Sequence, residues 1–242
     1  MDIISLFSGC GGLDLGFHKA GFNVIWTNEH DKSIWETYKF NHPETLLDQR
    51  DIRNIQSTEI PDCIGIIGGP PCQSWSEAGS GRGINDTRGQ LFYDYIRIVK
   101  EKNPLFFLAE NVSGILAERH SDAFSRILYN FKDIGYEVSY KLLNANDFGV
   151  PQDRQRVIIV GYSEKLRGAF EFPKPTTQGL TLKNAIYDLR LIEPIKVKDK
   201  IYNSNNLVPN HEYLDSGFSS IYMSRNRVRS WLEPSFTIQA GG

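Results

Sequence analysis

A lone cysteine follows two prolines at the end of an apolar run, in the segment IGIIGGPPCQSWS. Pro70 and Pro71 close the run, and Cys72 comes directly after them. Each proline fixes its φ angle and lacks a backbone N–H donor, so a strand has to end there. A thiolate at a strand end is a nucleophile, and a nearby guanidinium raises its ionised fraction. The segment therefore predicts a nucleophilic Cys72. A small buried hydrophobic residue is the alternative, which fits Cys10 and Cys63 better.

Two more reactive groups accompany strand-like runs. Glu110 lies near the end of LFFLAEN, and Arg154 and Arg156 lie at the start of the run RVIIVGY. Ligands of open α/β sheets bind at the carboxyl ends of the strands, so we expect Glu110 to lie near Cys72. Both arginines would support the thiolate. The alternatives are a helix cap or surface acid for Glu110, and a solvated sheet edge for the arginines.

A glycine turn, SGCGG, follows the first apolar run, and acidic residues end the next two strands. Asp14 stands where a dinucleotide fingerprint has its third glycine. Glu29 ends the second strand, where a carboxylate accepts hydrogen bonds from ribose hydroxyls. Asp51 would end the third strand and accept from an adenine amino group. Ribose and adenine without pyrophosphate indicate S-adenosylmethionine, whereas a tight turn without a ligand is the alternative.

These groups need a sheet to bring them together. Strands and helices alternate through about residue 161, which predicts an α/β fold with a mostly parallel sheet covered on both faces. The last two strands lack a helix between them, so one is expected to run antiparallel at the sheet edge. The predicted strands are 3–7, 22–29, 63–67, 105–111, 137–145 and 156–162, and the predicted helices are 13–20, 88–102, 121–134 and 182–189, with another capped by Asp31.

Composition restricts the class of protein. The 242 residues are 40% hydrophobic, and neither a bilayer-spanning run nor a signal peptide is visible, so we expect a cytoplasmic protein. Three unpaired cysteines and five scattered histidines argue against disulfides and a metal site. The net charge of −2 excludes a uniformly basic nucleic-acid binder. The alternation of strands and helices ends at FEFPKPTTQG. This predicts one domain at 1–175 and the start of another at 176–242.

Together the segments LFSGCGGLDLGF, GGPPCQSWS, AENV and QDRQR resemble the DNA (cytosine-5)-methyltransferase family, in the family's order. Further segments, including LLNANDFGVPQDR and the stretch from PNHEY to FTIQA, are similar to the HaeIII-type enzymes, which modify the inner cytosine of GGCC. The resemblance implies a Rossmann-like methyltransferase fold, with residues 176–242 as the start of a target-recognition domain. It implies methylation of C5 of a flipped-out cytosine in double-stranded DNA, within a restriction–modification system.

The resemblance also implies residue roles. Cys72 would attack C6 of cytosine, Glu110 would hold and protonate N3, Arg156 would position the base and Arg154 would support it. S-adenosylmethionine would be the methyl donor, with no metal. The implied cofactor contacts are Phe7, Gly9, Gly11, Gly12, Leu13, Glu29, His30, Asp51, Ile52, Pro70 and Leu91.

Arginines near the C-terminal end are expected to meet DNA. In SRNRVRSW, Arg225, Arg227 and Arg229 alternate, so on a strand they would share one face. Arginine reads guanine O6 and N7 in the major groove, and we expect Arg225 and Arg227 to do so. Phosphate neutralisation is the alternative. The implied DNA contacts are Ser74, Arg82, Arg88, Arg225 and Arg227. For Arg82 and Arg88, a phosphate contact and an ordinary surface charge are both open.

The chain departs from the family pattern in two places. Cys10 stands where the family commonly has alanine, and the chain ends at QAGG, before the family's later segments. We therefore expect a fragment, or one chain of a split enzyme completed by a C-terminal partner; a full-length protein would be a monomer. The other hypotheses are a tRNA cytosine-5 methyltransferase, a DNA- or partner-binding subunit, and a nicotinamide dehydrogenase, which Asp14 disfavours.

Overall fold

A computed structural model describes residues 1–71, 90–166, 168–176, 179–197, 208, 211–214 and 227–238. The chain divides into two compact units, the first comprising Met1–Leu143 with Gln155–Pro173 and the second Asn144–Arg154 with Lys174–Gly242. The predicted boundary at residue 175 and the target-recognition role of residues 176–242 stay predictions. Five predicted site residues lie outside the described ranges: Cys72, Ser74, Arg82, Arg88 and Arg225.

The first unit is an α/β fold, as predicted. Among the described residues, seven strands form one sheet in the order β3-β2-β1-β4-β5-β7-β6. The pairs from β3 through β5 are parallel, and β7 is antiparallel to β5. The strands are β1 Asp2–Leu6, β2 Asn23–Asn28, β3 Leu46–Asp48, β4 Gly65–Gly68, β5 Phe106–Val112, β6 Tyr136–Asn144 and β7 Gln155–Ser163. The helices are α1 Gly12–Lys19, α2 Trp35–Asn41, α3 Leu91–Lys102 and α4 Ser121–Asp133.

The antiparallel strand does not lie at the edge of the sheet, which corrects one detail of the prediction. β7 lies between β5 and β6, so β6 forms the edge. Burial explains this order. β7 has five buried residues out of nine, whereas β6 has one and its other eight residues are half-buried or exposed. A strand rich in buried apolar residues is more stable between two neighbours than at an edge, where one side meets water.

Helices cover both faces of this sheet. On one face, Phe92, Tyr95 and Phe131 from α3 and α4 pack with Phe107 of β5 in the larger core cluster. On the other face, Phe17 of α1 lies against a smaller apolar cluster. Gly21 and Gly135 follow α1 and α4 with φ of 87° and 90°, a left-handed conformation that commonly ends a helix.

The second unit contains little regular structure among its described residues. It has α5 Leu182–Ile186, followed by a 3₁₀ helix at Tyr187–Leu191 where the sequence predicted a single helix over 182–189. β8 Ile195–Val197 pairs in parallel with β9 Glu212–Leu214. In the part of the chain that the structure describes, no helix is long and apolar enough to cross a membrane.

Candidate active site

The glycine turn after β1 has a left-handed backbone at three positions. The φ angle is 55° at Phe7, 55° at Gly9 and 80° at Gly11. Phe7 is the exception, because a residue with a side chain rarely adopts positive φ, whereas glycine does so freely. A Cβ at Gly11 would overlap the ring of His42, whose Nε2 lies 3.0 Å from the Gly11 carbonyl oxygen. The turn is thus shaped by the residue that follows α2.

A buried carboxyl group, Asp14, joins three elements beneath this turn. Its Oδ1 accepts a hydrogen bond from Ser5 Oγ of β1 at 2.7 Å. Its Oδ2 accepts one from the Tyr38 hydroxyl of α2 at 2.6 Å. Burial raises the pKa of Asp14, and these two hydrogen bonds oppose the rise. The residue that interrupts the dinucleotide fingerprint therefore holds α1 and α2 to the sheet.

Glu29 fixes the backbone on both sides of the carboxyl end of β2. Its Oε2 accepts from the Gly9 N–H at 2.8 Å and its Oε1 from the Asp31 N–H at 2.8 Å. A carboxylate accepts about four hydrogen bonds, so capacity remains for ligand hydroxyls. Glu29 thus connects the glycine turn to the strand end where the sequence analysis expected a ribose.

A cavity of about 560 Å³ opens beside these strand ends. Its walls combine three carboxylates, from Glu29, Asp31 and Asp51, with apolar side chains. The cavity is lined by six of the predicted cofactor residues, namely Phe7, Glu29, His30, Asp51, Ile52 and Leu91. Sequence reasoning missed Asn28, Asp31, Arg53, Gly69 and Pro71, which line it as well.

Among the described residues, five other predicted cofactor residues do not line this cavity, although they are near lining residues in the sequence. They are Gly9, Gly11, Gly12, Leu13 and Pro70. Two of them make other contacts in the fold. Leu13 packs against the smaller apolar cluster. The Pro70 carbonyl accepts a hydrogen bond from Asn111.

Asp51 is held as a carboxylate by its neighbour. Its Oδ1 accepts from the Arg53 backbone N–H and from Nε at 3.0 and 2.9 Å, and Arg53 Nη2 contacts Oδ2. These hydrogen bonds with Arg53 lower the pKa of Asp51 to about 2. Asp51 therefore stays ionised well into the acid range and presents acceptor oxygens to the cavity.

Glu110 and Arg156 form an ion pair between neighbouring strands. Arg156 Nε lies 2.7 Å from Glu110 Oε1, and the side chains are 21% and 29% exposed. In the antiparallel register Glu110 faces Ile158 and Val112 faces Arg156, so the two charges are diagonal neighbours on one face. A Cβ added at Gly69 would lie 3.3 Å from Glu110 Oε2. The structure thus brings the predicted acid and one predicted arginine together beside the end of β4.

Asn111 is a second side chain at this strand end that sequence reasoning missed. It is 1% exposed, and its Nδ2 donates to the Pro70 carbonyl oxygen at 3.2 Å. Its Oδ1 accepts from the Val112 N–H at 3.0 Å. The available signal was an amide in AEN, directly after the acid and at the end of a run of apolar residues.

Arg154 belongs to the second unit. Its N–H donates to Asn144 Oδ1 at 3.0 Å, and its carbonyl accepts from the Ala145 N–H at 3.0 Å. Asn144 also donates to Asp153 Oδ1 at 3.2 Å. These contacts fix the backbone at Arg154, and its support of the thiolate stays a prediction.

The described part of SRNRVRSW is not a strand, so the expectation that its arginines share one strand face was wrong for Arg227 and Arg229. Arg227 is exposed. Arg229 pairs with Asp153 and Glu233 at 3.1 Å each, and its guanidinium lies 3.9 Å from the Phe236 ring centroid. Arg229 is thus held by acidic and aromatic partners within the second unit. A pattern of alternating arginines does not reveal such contacts.

The two described cysteines differ. Cys63 is half-buried, and burial raises its pKa to about 11, so it stays a neutral thiol near pH 7. Cys10 is exposed, so its interpretation as a buried hydrophobic residue was wrong. It lies between two turn glycines rather than on a packed element. Among the described residues, no group of His, Cys, Asp and Glu side chains is arranged to hold a metal ion.

Comparison with known proteins agrees with this arrangement. The profile of the C-5 cytosine-specific DNA methylase family matches residues 1–242. The chain is 57% identical to the Type II methyltransferase M.MthTI of Methanothermobacter thermautotrophicus, over 100% of this chain and 73% of that protein. It is 55% identical to M.FnuDI of Fusobacterium nucleatum, over 100% and 71%. A crystal structure described as a DNA modification methyltransferase from an E. coli prophage superposes with a TM-score of 0.71 at 32% identity, and covers 84% of this chain and 59% of that one.

Proposed function

Because the chain belongs to the C-5 cytosine-specific DNA methylase family, we propose that it transfers a methyl group from S-adenosylmethionine to C5 of cytosine in double-stranded DNA. Similar proteins are named Type II methyltransferases, which supports a place in a restriction–modification system. The proposed target is the inner cytosine of GGCC, on the similarity to the HaeIII-type enzymes. The observation that carries the proposal is the Glu110–Arg156 pair beside Gly69.

The proposed reaction begins with the Cys72 thiolate, which adds to C6 of cytosine and makes C5 a nucleophile. Glu110, once it has taken up a proton from solvent, donates a hydrogen bond or this proton to N3, where negative charge would otherwise accumulate. Arg156 orients the base and neutralises the Glu110 carboxylate in the resting protein. After transfer of the methyl group, which releases S-adenosylhomocysteine, a base removes the C5 proton and the thiolate leaves. N3 returns its proton to Glu110, which yields 5-methylcytosine and regenerates Cys72.

The cavity beside the glycine turn suits S-adenosylmethionine, which supplies the methyl group when bound. Glu29 and Asp51 present carboxylate oxygens to hydroxyl and amino donors. Phe7, Ile52 and Leu91 give the cavity apolar walls. Moving an adenine ring from water to such walls costs little free energy. The cavity thus combines hydrogen-bond acceptors with apolar surface, as a nucleoside site does.

The target base has to leave the duplex. C5 and C6 of a stacked cytosine are not accessible to a thiolate and a methyl donor on opposite faces, so flipping is proposed, at a cost of a few kcal/mol. We assign DNA contacts to Ser74, Arg82 and Arg88, and guanine contacts to Arg225 and Arg227. Arg227 is exposed, as such a contact requires.

The test is methyl transfer from labelled S-adenosylmethionine to a GGCC duplex. We expect transfer by the wild type, none by Cys72→Ser, and little change in Cys63→Ala, the matched control for loss of a thiol. Parallel reactions with tRNA and with a duplex lacking GGCC define the substrate. Preferential labelling of tRNA, or undiminished transfer by Cys72→Ser, would overturn the proposal. Activity that appears only with an added C-terminal chain would identify the complementing partner.

A further inference from the structure

Asn111 touches the segment that leads to the proposed nucleophile. β4 ends at Gly68, and the chain continues through Gly69 and Pro70 to Pro71. Across 41 positions of sequence, Asn111 Nδ2 donates to the Pro70 carbonyl oxygen at 3.2 Å. This bond connects the ends of two adjacent parallel strands beyond the last paired residues, Gly68 and Ala109.

The Asn111 side chain is polar although its position is buried. Asn111 is 1% exposed, and burying an amide side chain is costly unless its donor and acceptor are both used. The Oδ1 atom is used by the Val112 N–H at 3.0 Å. The Nδ2 donor is used by Pro70. An apolar residue would fill the site but would leave the Pro70 carbonyl and the Val112 N–H without these partners. The amide therefore holds the Pro70 carbonyl at this point.

Glu110, the residue before Asn111, lies beside the same segment after β4. Successive side chains of a strand point to opposite faces, so Glu110 and Asn111 leave β5 in opposite directions. The Glu110 Oε2 atom lies 3.3 Å from the position of a Cβ at Gly69, while Asn111 holds Pro70. Two consecutive residues of β5 thus lie beside two consecutive residues after β4, and the hydrogen bond from Asn111 holds the second of these.

From these contacts we infer that Asn111 is a positioning residue for the attack of Cys72 on cytosine. Pro70 and Pro71 have φ angles fixed by their rings, so few torsions separate the held carbonyl from the following residue. Asn111 therefore acts on the thiol through Pro70, without contacting substrate. This inference rests on the proposed function for its kinetic test, but a second measurement is independent of it.

The variants are Asn111→Ala, which removes the amide, and Asn111→Asp, which replaces the donor with an acceptor facing the Pro70 carbonyl. The matched control is Tyr136→Phe. Tyr136 is 3% exposed, and its hydroxyl donates to the Pro104 carbonyl at 2.8 Å, before the other end of β5. It too is a buried side chain that holds a proline carbonyl, so its loss controls for destabilisation.

The kinetic measurement is covalent complex formation with a GGCC duplex that carries 5-fluorocytosine, together with kcat and the KM for DNA. For both Asn111 variants we expect the rate of complex formation and kcat to fall about 10- to 100-fold, the effect of an ångström-scale misplacement. The KM for DNA should stay near that of the wild type. Tyr136→Phe should change thermal stability but not these rates. Wild-type rates in both Asn111 variants, or an equal fall in Tyr136→Phe, would overturn the inference.

A second measurement separates this inference from the proposed function. Iodoacetamide alkylation of Cys72, followed by peptide mass spectrometry as a function of pH, requires no DNA or methyl transfer. We expect Asn111→Ala to change the rate severalfold, because the thiol environment sets its ionised fraction. Tyr136→Phe should leave it unchanged. An inactive wild type with this pattern rejects the proposed function only, whereas equal alkylation rates in all three proteins reject the role of Asn111.

Discussion

The carboxylate of Glu110 lies against a position where no side chain is present: a Cβ at Gly69 would be 3.3 Å from Oε2, closer than van der Waals contact. The absence of a side chain at Gly69 therefore sets how far the carboxylate can approach the backbone that follows β4. The two residues are 41 positions apart in the sequence, on adjacent strand ends.

Gly69→Ala should reduce methyl transfer with little loss of stability. The added methyl group pushes the Glu110 carboxylate by a few tenths of an ångström, and we expect kcat to fall about 10-fold or more. The control is Gly16→Ala, because no heavy atom lies within 4 Å of a Cβ there and alanine favours a helix by about 1 kcal/mol. Thermal unfolding and kcat of both variants check this. An unchanged kcat in Gly69→Ala would show that the carboxylate has room to move.

The Glu110–Arg156 pair should behave as one unit. Glu110→Gln removes the proton donor for N3 and should lower kcat about 100-fold or more. Arg156→Ala should lower it substantially as well, because the carboxylate loses the partner at 2.7 Å. Their effects should be far from additive in the double variant. A kinetic double-mutant cycle measures this, and additive losses would indicate two independent roles.

Substitutions of Arg227 and Arg229 should affect different properties, DNA binding in the first case and stability in the second. Arg229→Ala removes two ion pairs and the contact with Phe236. The acidic partners Asp153 and Glu233 are 43% and 45% exposed, so screening keeps the expected destabilisation near 1 kcal/mol. Arg227→Ala should leave stability unchanged and weaken DNA binding.

Binding of Arg227→Ala to GGCC and to single-substitution sites distinguishes the two kinds of contact. A guanine reader should lose discrimination at one position by about 1–3 kcal/mol. A phosphate contact should weaken all sequences alike and reduce the salt dependence of binding. A stable Arg229→Ala variant that binds DNA poorly would contradict the structural role of Arg229.

Acid stability should depend on Arg53. Because Arg53 lowers the pKa of Asp51 from 3.8 to about 2, the folded protein favours the ionised carboxylate. This contribution to stability is present above about pH 4 and is lost as the pH falls through about 2. In Arg53→Ala the pKa of Asp51 should rise, and this part of the acid dependence should disappear.

Urea unfolding of wild type and Arg53→Ala between about pH 2 and 6 measures the Arg53 effect. Asp51→Asn provides the control, since Arg53→Ala should have no pH-dependent effect in that background. A pH-independent difference between wild type and Arg53→Ala would show that the guanidinium acts by packing.

Tyr38→Phe should destabilise the fold more at neutral than at acid pH. The pKa of Asp14 is raised by burial, so its contribution to stability is greatest at low pH and is lost as the pH rises through its folded value. The Tyr38 hydroxyl limits this loss by donating to the ionised form at 2.6 Å. Removing it should cost about 1 kcal/mol or more at pH 7. Tyr129→Phe, at a residue 66% exposed, should have no effect in the same urea titration.

The alternation of elements and the strand ends could be predicted from sequence, because local patterns determine them. Apolar runs ending in glycine, proline or an acid identified β1, β4 and β5, and they placed Glu110 at a strand end. The order of the last strands could not be predicted in this way. Insertion of β7 between β5 and β6 depends on the burial of whole strands, which is a property of the assembled sheet.

The side-chain contacts that sequence reasoning missed act over long separations. Asn111 reaches Pro70 across 41 positions, and Arg229 reaches Asp153 across 76. Each is polar and each could equally be a surface residue or a ligand contact in the sequence alone. Their partners are backbone carbonyls and acids whose proximity arises only from folding, so residue type can mark a candidate such as Asn111 but cannot identify its partner.

The contact between Gly11 and His42 has an evolutionary consequence. Since an imidazole occupies the space of a side chain at position 11, that glycine is required by a neighbour as well as by its backbone angle. A relative that carries alanine or serine there needs a smaller residue at the equivalent of position 42. The two sites should therefore vary as a pair across homologues, and exchanging one without the other should impair folding even where no methyl donor is bound.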